Sequence, residues 1–160
     1  MKLYSMVPYD CSGKVRWLLH ELGEDFEDIR LSYDDGDLES DEYLAKNPLG
    51  QVPVLEDGDI TLYESYAIIA YLADKYPEKK MAPPIDDLEA RSLYYQWLFF
   101  STNSAADFFS RHFRLPEMSL THQKQWAKYE ADKVQKVLSA INTQLCLLYT
   151  SDAADERNSV

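Results

Sequence analysis

Two short segments, residues 47–55 and 64–69, carry the groups best suited to hold a small ligand. A proline within a strand run removes a ladder donor, so Pro53 is expected to follow a cis bond and leave the main-chain groups of Val52 free for an extended ligand. Ser65 is the expected N-cap of the next helix, where unpaired N–H groups attract a carboxylate. Glu64 can accept from an ammonium group. The set predicts a site for a short peptide-like ligand.

Thiol chemistry is predicted at the start of the first helix, where Tyr9, Cys11 and Ser12 follow one another closely. A helix N-terminus lowers the pKa of a thiol through its dipole and its free N–H groups. Cys11 could bond to a ligand sulfur or be a small buried hydrophobic residue. Tyr9 could donate its hydroxyl to a thiolate or be a surface aromatic. Ser12 is the expected N-cap, with catalysis as its alternative role.

Apolar periodicity predicts the elements that position these residues. Strands are expected over 1–5, 26–31, 52–55 and 60–63, the last two joined by a turn over 56–59. Helices are expected over 12–22 and 65–76, with a short helix between a Ser40 cap and Lys46. The order β-α-β followed by β-β-α predicts an α/β thioredoxin-like sheet. Two long helices are expected beyond it, over 86–112 and 119–145.

The composition excludes several classes of protein. The net charge of −12 argues against nucleic acid or an anionic membrane as a partner. Two cysteines among 160 residues do not make a disulfide framework, so a cytoplasmic location is expected. The acidic run over 34–42 is expected to be a solvated loop, and no metal site is predicted.

Residues 1–78 resemble the thioredoxin-like N-terminal domain of cytosolic glutathione transferases. The resemblance lies in the strand Lys2–Tyr4, in the helix around Cys11–Gly23, and above all in the segments Asn47–Leu55 and Glu64–Tyr76. It implies a transferase that conjugates the thiolate of glutathione, its co-substrate, to small hydrophobic electrophiles. It also implies a homodimer for the full-length protein.

The resemblance assigns roles to individual residues. It implies that the backbone of Val52, before Pro53, bonds to the cysteinyl unit of glutathione, that Glu64 and Ser65 hold the γ-glutamyl end, and that Gln51 lies beside the tripeptide. Lys46 or a cation of a partner subunit could hold the glycyl carboxylate. Further along, Phe108, Arg111 and His112 could border the electrophile pocket, or could be a helix surface.

The class of transferase stays open. Counted back from Gly23, Tyr9 matches a position where several classes carry a catalytic serine or cysteine, and Cys11 matches the cysteine of the bacterial beta class. A bacterial type is expected on this count, whereas a zeta-type isomerase is disfavoured because its paired serines align with Tyr9 and Asp10. The alternatives are a glutathione-dependent disulfide reductase or deglutathionylating enzyme that uses Cys11, and a non-catalytic binding module.

The expected domain organisation has four parts. Residues 1–78 are the glutathione-binding domain, 79–85 a linker, and 86–145 a partial helical domain. Residues 146–160 are expected to be non-native, because the run from Cys146 to Glu156 resembles the translation of a sequencing adapter. The natural chain would then be longer than this one.

Overall fold

The computed structural model describes residues 1–7, 10–105 and 133–146. It contains a four-stranded sheet of β1 (Lys2–Ser5), β2 (Glu27–Arg30), β3 (Val54–Asp57) and β4 (Ile60–Tyr63). The strand order is β2-β1-β3-β4, with β1 parallel to β2 and antiparallel to β3. The predicted α/β thioredoxin-like arrangement is confirmed.

Helices α1 (Ser12–Leu22) and α3 (Ser65–Lys75) pack on one face of this sheet. Strand residues alternate between faces, so Leu3 and Leu55 point to this side and join the buried residues of both helices. The core here consists of Leu3, Val15, Leu19, Leu22, Leu55, Ile68 and Leu72. Its buried leucines fix both helices against the strands.

The opposite face of the sheet is covered by a smaller cluster. Tyr4 and Val54 pack there against Leu38 and Tyr43. Leu38 belongs to a 3₁₀ turn over Asp37–Glu39, and Tyr43 to the one-turn helix α2 (Asp41–Leu44). Ser40 caps α2, as predicted, by accepting from the backbone N–H of Tyr43 at 3.2 Å.

Strand β3 and the helix predicted over 86–112 differ most from the boundaries predicted for them. Strand β3 runs to Asp57, so the turn that joins it to β4 is shorter than expected. A 3₁₀ turn over Pro77–Lys79 follows α3, and helix α4 begins at Leu88 and ends at Phe99, where a π-helical segment over Phe100–Ala105 continues it. Residues 133–146 form helix α5.

The chain divides into two compact units between Tyr95 and Gln96, which lies beyond the linker predicted over 79–85. The start of α4 lies in the first unit and contains Arg91, which is 3% exposed. Its guanidinium group donates to Asp74 at 2.5 Å and to the carbonyl oxygen of Pro83 at 2.7 Å. Among the described residues, no helix is long and apolar enough to cross a membrane.

Candidate functional site

The strand register brings the predicted site residues to one edge of the sheet. Val54 lies opposite both Tyr63 and Tyr4, so the start of β3, the end of β4 and the end of β1 meet there. The chain enters this edge through Val52, before β3, and leaves it into α3 through Ser65, after β4. It also leaves β1 into α1 there. The N-termini of α1 and α3 and the start of β3 therefore lie at the same edge of the sheet.

Asp10 organises the start of α1. Its carboxylate accepts from the backbone N–H groups of Met6 and Val7 at 2.8 Å each, and from that of Ser12 at 2.7 Å. The hydroxyl of Ser12 also donates to it. Burial raises the pKa of Asp10, but the hydrogen bonds from Ser12, Met6 and Val7 outweigh this and hold the pKa below its usual value. The carboxylate ties the end of β1 to the first turn of α1.

This arrangement corrects the role predicted for Ser12. Ser12 is the first residue of α1 rather than its N-cap, and it is fully buried with its hydroxyl directed to Asp10. Cys11 occupies the cap position and makes no side-chain cap hydrogen bond. Its side chain is exposed and its thiol is free. Tyr9, the third candidate, lies outside the described residues.

Two side-chain hydrogen bonds hold the segment before β3 in place. The carbonyl oxygen of Gln51 accepts from the hydroxyl of Tyr43 at 2.8 Å and from the side-chain amide of Asn47 at 2.7 Å. Both donors are 3% exposed. The Val52–Pro53 peptide bond is cis. Within the described part of the chain, neither the N–H nor the carbonyl group of Val52 has a backbone partner.

The start of α3 also departs from the prediction. Ser65 is the first helical residue and Glu64 holds the cap position, with a φ angle of 73°. A positive φ is uncommon for a residue with a side chain. Glu64 makes no side-chain cap bond, and the Ser65 hydroxyl has no hydrogen bond within the described residues. The first intrahelical bond is donated by Ile68 to Glu64, so the N–H groups of Ser65, Tyr66 and Ala67 precede the helical ladder.

Lys46, considered for the glycyl carboxylate, is already paired. Its ammonium group lies 2.6 Å from the carboxylate of Glu56, which also accepts from the hydroxyl of Tyr4 at 2.9 Å. The hydrogen bond to Glu56 raises the pKa of Lys46. Among the residues described, no group of acidic, histidine or cysteine side chains could hold a metal ion.

Three electrophile-pocket candidates, Phe108, Arg111 and His112, lie outside the described residues. The sequence interpretation in turn missed the bracing roles of Asp10, Tyr43 and Asn47. An aspartate two residues before a serine at a helix start is a usable signal, because an aspartate side chain often accepts from the backbone N–H two residues further on. Nothing local marks Tyr43, whose acceptor is eight residues away.

A family model for the N-terminal domain of glutathione S-transferases matches residues 1–74. Among curated proteins, glutathione S-transferase 1 of Dianthus caryophyllus is 45% identical over 96 residues, which are 60% of this chain and 42% of that protein. Glutathione S-transferase Z2 of Arabidopsis thaliana is 41% identical over the same shares. The chain thus spans less than half the length of these plant relatives.

Solved structures resemble a larger share of the chain. BphK, a bacterial GST in a ternary complex, is 30% identical with a TM-score of 0.72. The match covers 90% of this chain and 70% of the BphK chain. Ure2p in complex with glutathione is 26% identical with a TM-score of 0.76, over 89% of this chain and 66% of its own. These relatives come from plants, from a bacterium and, in the case of Ure2p, from yeast, so the bacterial type stays a prediction.

Proposed function

The chain belongs to the glutathione S-transferase family, and we propose on that premise that it binds glutathione and transfers its thiolate to small electrophiles. Glutathione offers an extended peptide backbone, a carboxylate and ammonium pair at its γ-glutamyl end, and a thiol between its ends. Each of these has a matching group at the edge of the sheet described above.

The observation that carries the proposal is the common location of Val52 and Ser65. The unpaired main-chain groups of Val52 can bond to the cysteinyl unit of the ligand as an added strand. Ser65 and the free N–H groups that follow it suit the γ-glutamyl carboxylate. Glu64, exposed at the cap position, suits the ammonium group. Gln51 then lies beside the tripeptide.

The chemical step is a nucleophilic displacement or addition. The glutathione thiol gives its proton to solvent, and the thiolate sulfur forms a bond to an electrophilic carbon. In a displacement a leaving group departs with the bonding electrons, whereas in an addition the electron pair of the attacked double bond takes up a proton from solvent. A nearby hydroxyl or helix N-terminus that favours the thiolate lowers the barrier. Tyr9 and Cys11 are the candidates for that role, since the Ser12 hydroxyl already donates to Asp10.

Titration calorimetry with glutathione tests the binding step. Replacing Ser65 by alanine is expected to weaken binding about tenfold, the effect of one hydrogen bond to a charged group. Ser92→Ala is the matched control, because Ser92 is an exposed helical serine that donates to the carbonyl oxygen of Glu89. Equal affinity for glutathione in both variants, or no binding to the parent chain, would contradict the proposal.

A second candidate function rests on the exposed thiol of Cys11 at the start of α1. A thiol in this position can attack a glutathione mixed disulfide, form a new disulfide with its sulfur and release the substrate thiol. Cys11→Ala is expected to abolish disulfide reduction while conjugation of a chlorinated nitroaromatic continues. Loss of conjugation alone would favour a direct role of Cys11 in the transferase reaction. Glutathione binding without either turnover would favour a binding module.

A further inference from the structure

A recess of about 410 Å³ lies beside the segment that leads into β3. Gly50, two residues before Val52, lines this recess. Its walls also include the exposed side chains of Tyr33 and Leu49. Ligand sites in proteins usually measure about 300–1,000 Å³, so the recess has room for a short alkyl arm and its end group.

The direction of an added ligand strand determines which end of glutathione faces this recess. A ligand that pairs antiparallel with Val52 runs opposite to the chain, so the residue after its cysteinyl unit lies beside Gln51. Atoms beyond that residue then lie beside Gly50, which lines the recess. The γ-glutamyl end, assigned above to Ser65, extends the other way. The glycyl end of glutathione is therefore the end that faces the recess.

The charged residues that line the recess, among those described, are Asp34 and Glu39. Both are exposed, and neither forms an ion pair within the described part of the chain. The surrounding run over 31–45 contains six acidic residues and neither lysine nor arginine. Unpaired carboxylates repel a carboxylate on a ligand and attract an ammonium group.

Two cations on neighbouring elements are already engaged with carboxylates. The ammonium group of Lys46 lies 2.6 Å from Glu56, and the guanidinium group of Arg30 lies 3.2 Å from Asp28. Turning either cation toward a ligand would take it from its carboxylate partner. The glycyl carboxylate of glutathione therefore meets acidic side chains at the recess, where no described lining residue offers a compensating cation.

We propose that the site favours amides of glutathione that end in an ammonium group over glutathione itself, and that Asp34 and Glu39 determine this preference. The inference rests on the proposed binding of glutathione, because pairing with Val52 brings the glycyl end to the recess. An amide at the glycyl carboxyl removes the repelled charge, and its alkyl arm carries the ammonium group between Tyr33 and Leu49. The thiol is unchanged, so the amide reacts with the same electrophiles.

The test compares three ligands by titration calorimetry at low salt. They are glutathione, its primary amide at the glycyl carboxyl, and the amide formed there with one nitrogen of 1,4-diaminobutane. A unit charge about 10 Å from a carboxylate in water changes affinity about twofold. With two carboxylates, the neutral amide is expected to bind about fourfold more tightly than glutathione, and the ammonium-ended amide about fourfold more tightly again. In about 0.5 M sodium chloride these differences should largely disappear.

Variants of the two acidic residues assign the preference to the recess. Glu39→Gln and Asp34→Asn are each expected to lower the affinity ratio of ammonium-ended amide to glutathione about fourfold, and the double variant should remove the preference. The neutral amide should bind equally to all of them. Asp59→Asn is the matched control, because it also removes one exposed carboxylate but lies in the turn after β3, away from Val52. Urea unfolding of each variant checks that the fold is retained.

The outcomes separate this inference from the proposal on which it rests. If the parent chain binds glutathione at least as tightly as the two amides, the inference alone fails and the proposed function stands. If the double variant keeps the preference, or Asp59→Asn lowers it equally, the preference comes from the net charge of the chain, and the inference fails as well. If the parent chain binds none of the three ligands, both the inference and the proposed function are overturned.

Discussion

The carbonyl oxygen of Gln51 has two buried donors, and removing both should cost more than the sum of removing each. Tyr43→Phe deletes one donor to this oxygen and is expected to lower the free energy of unfolding by about 1 kcal/mol. Asn47→Ala deletes the other donor and also the bond from the backbone N–H of Leu49, so about 2 kcal/mol is expected. In either single variant the Gln51 carbonyl keeps one partner.

The double variant leaves that carbonyl without a protein donor. Gln51 itself is exposed, so the size of the effect depends on whether water reaches its carbonyl oxygen once both donors are gone. If the oxygen stays shielded, the unsatisfied acceptor costs about 1–3 kcal/mol beyond the lost bonds and the total reaches about 4–6 kcal/mol. Urea unfolding followed by far-UV circular dichroism measures the free energy of unfolding for the four members of the cycle. Because Val52 follows Gln51 directly, the double variant is also expected to bind glutathione more weakly than either single variant.

The control cycle pairs Asn47→Ala with Tyr76→Phe, which removes a hydrogen bond to Glu24 and shares no acceptor with Asn47. Those two changes should add within about 0.5 kcal/mol. If the Tyr43 and Asn47 changes add equally well, water reaches the Gln51 carbonyl once its donors are gone. The idea that two buried side chains together hold this strand entrance would then be wrong.

Three further predictions concern stability. Burial raises the pKa of Asp28, but hydrogen bonds from Arg16 and Ser5 and the charges of Arg16 and Arg30 outweigh this and hold the pKa below its ordinary value of 3.8. The contribution of Asp28 to the free energy of unfolding is therefore present above pH 3.8 and is lost as the pH falls below it. In urea unfolding at a series of pH values, Asp28→Asn should reduce this loss of stability in acid. Gly50→Ala should lower the melting temperature more than Gly58→Ala, because both have positive φ but only the Gly50 Cβ would lie 2.9 Å from the Leu38 carbonyl oxygen. Burial, with the charges of Tyr4 and Asp10, raises the pKa of Tyr43 to about 12. In the unfolded chain this tyrosine ionises near its ordinary pKa of about 10, so the free energy of unfolding should fall as the pH rises from about 10 to 12. Tyr43→Phe should remove this loss of stability.

Much of the site could be predicted because local patterns and hairpin geometry determine it. The apolar spacing predicted helix 12–22, and the structure has α1 over Ser12–Leu22. Val52 and Ser65 flank a hairpin whose two antiparallel strands pair Val54 with Tyr63. Because each residue lies two positions beyond this pair, both come to the same edge of the sheet. Two short motifs with a predicted hairpin between them were therefore enough to predict that both lie at one edge of the sheet.

The capping residues could not be predicted in the same way. A serine before an apolar run is the preferred N-cap, which favoured Ser65, yet Glu64 takes the cap position with a φ of 73°. Choosing Glu64 requires knowing how the chain turns from β4 into α3, and that turn depends on packing of the helix against the sheet. Ser65 is placed one residue later as a result, where its hydroxyl has no partner among the described residues and can serve a ligand.

Asp10 restricts which residues at the start of α1 could activate a bound thiol. Asp10 accepts the N–H and the hydroxyl of Ser12, so the donors that a sulfur atom would use at this residue are already engaged with a carboxylate. A carboxylate in the same turn also disfavours a thiolate by charge repulsion. We therefore propose the exposed Cys11 and the hydroxyl of Tyr9, rather than Ser12, as the groups that would stabilise the thiolate. Asp10→Asn should consequently shift the acid limb of the conjugation rate to lower pH if its charge opposes the thiolate, whereas an unshifted limb would show that Asp10 acts on the loop alone.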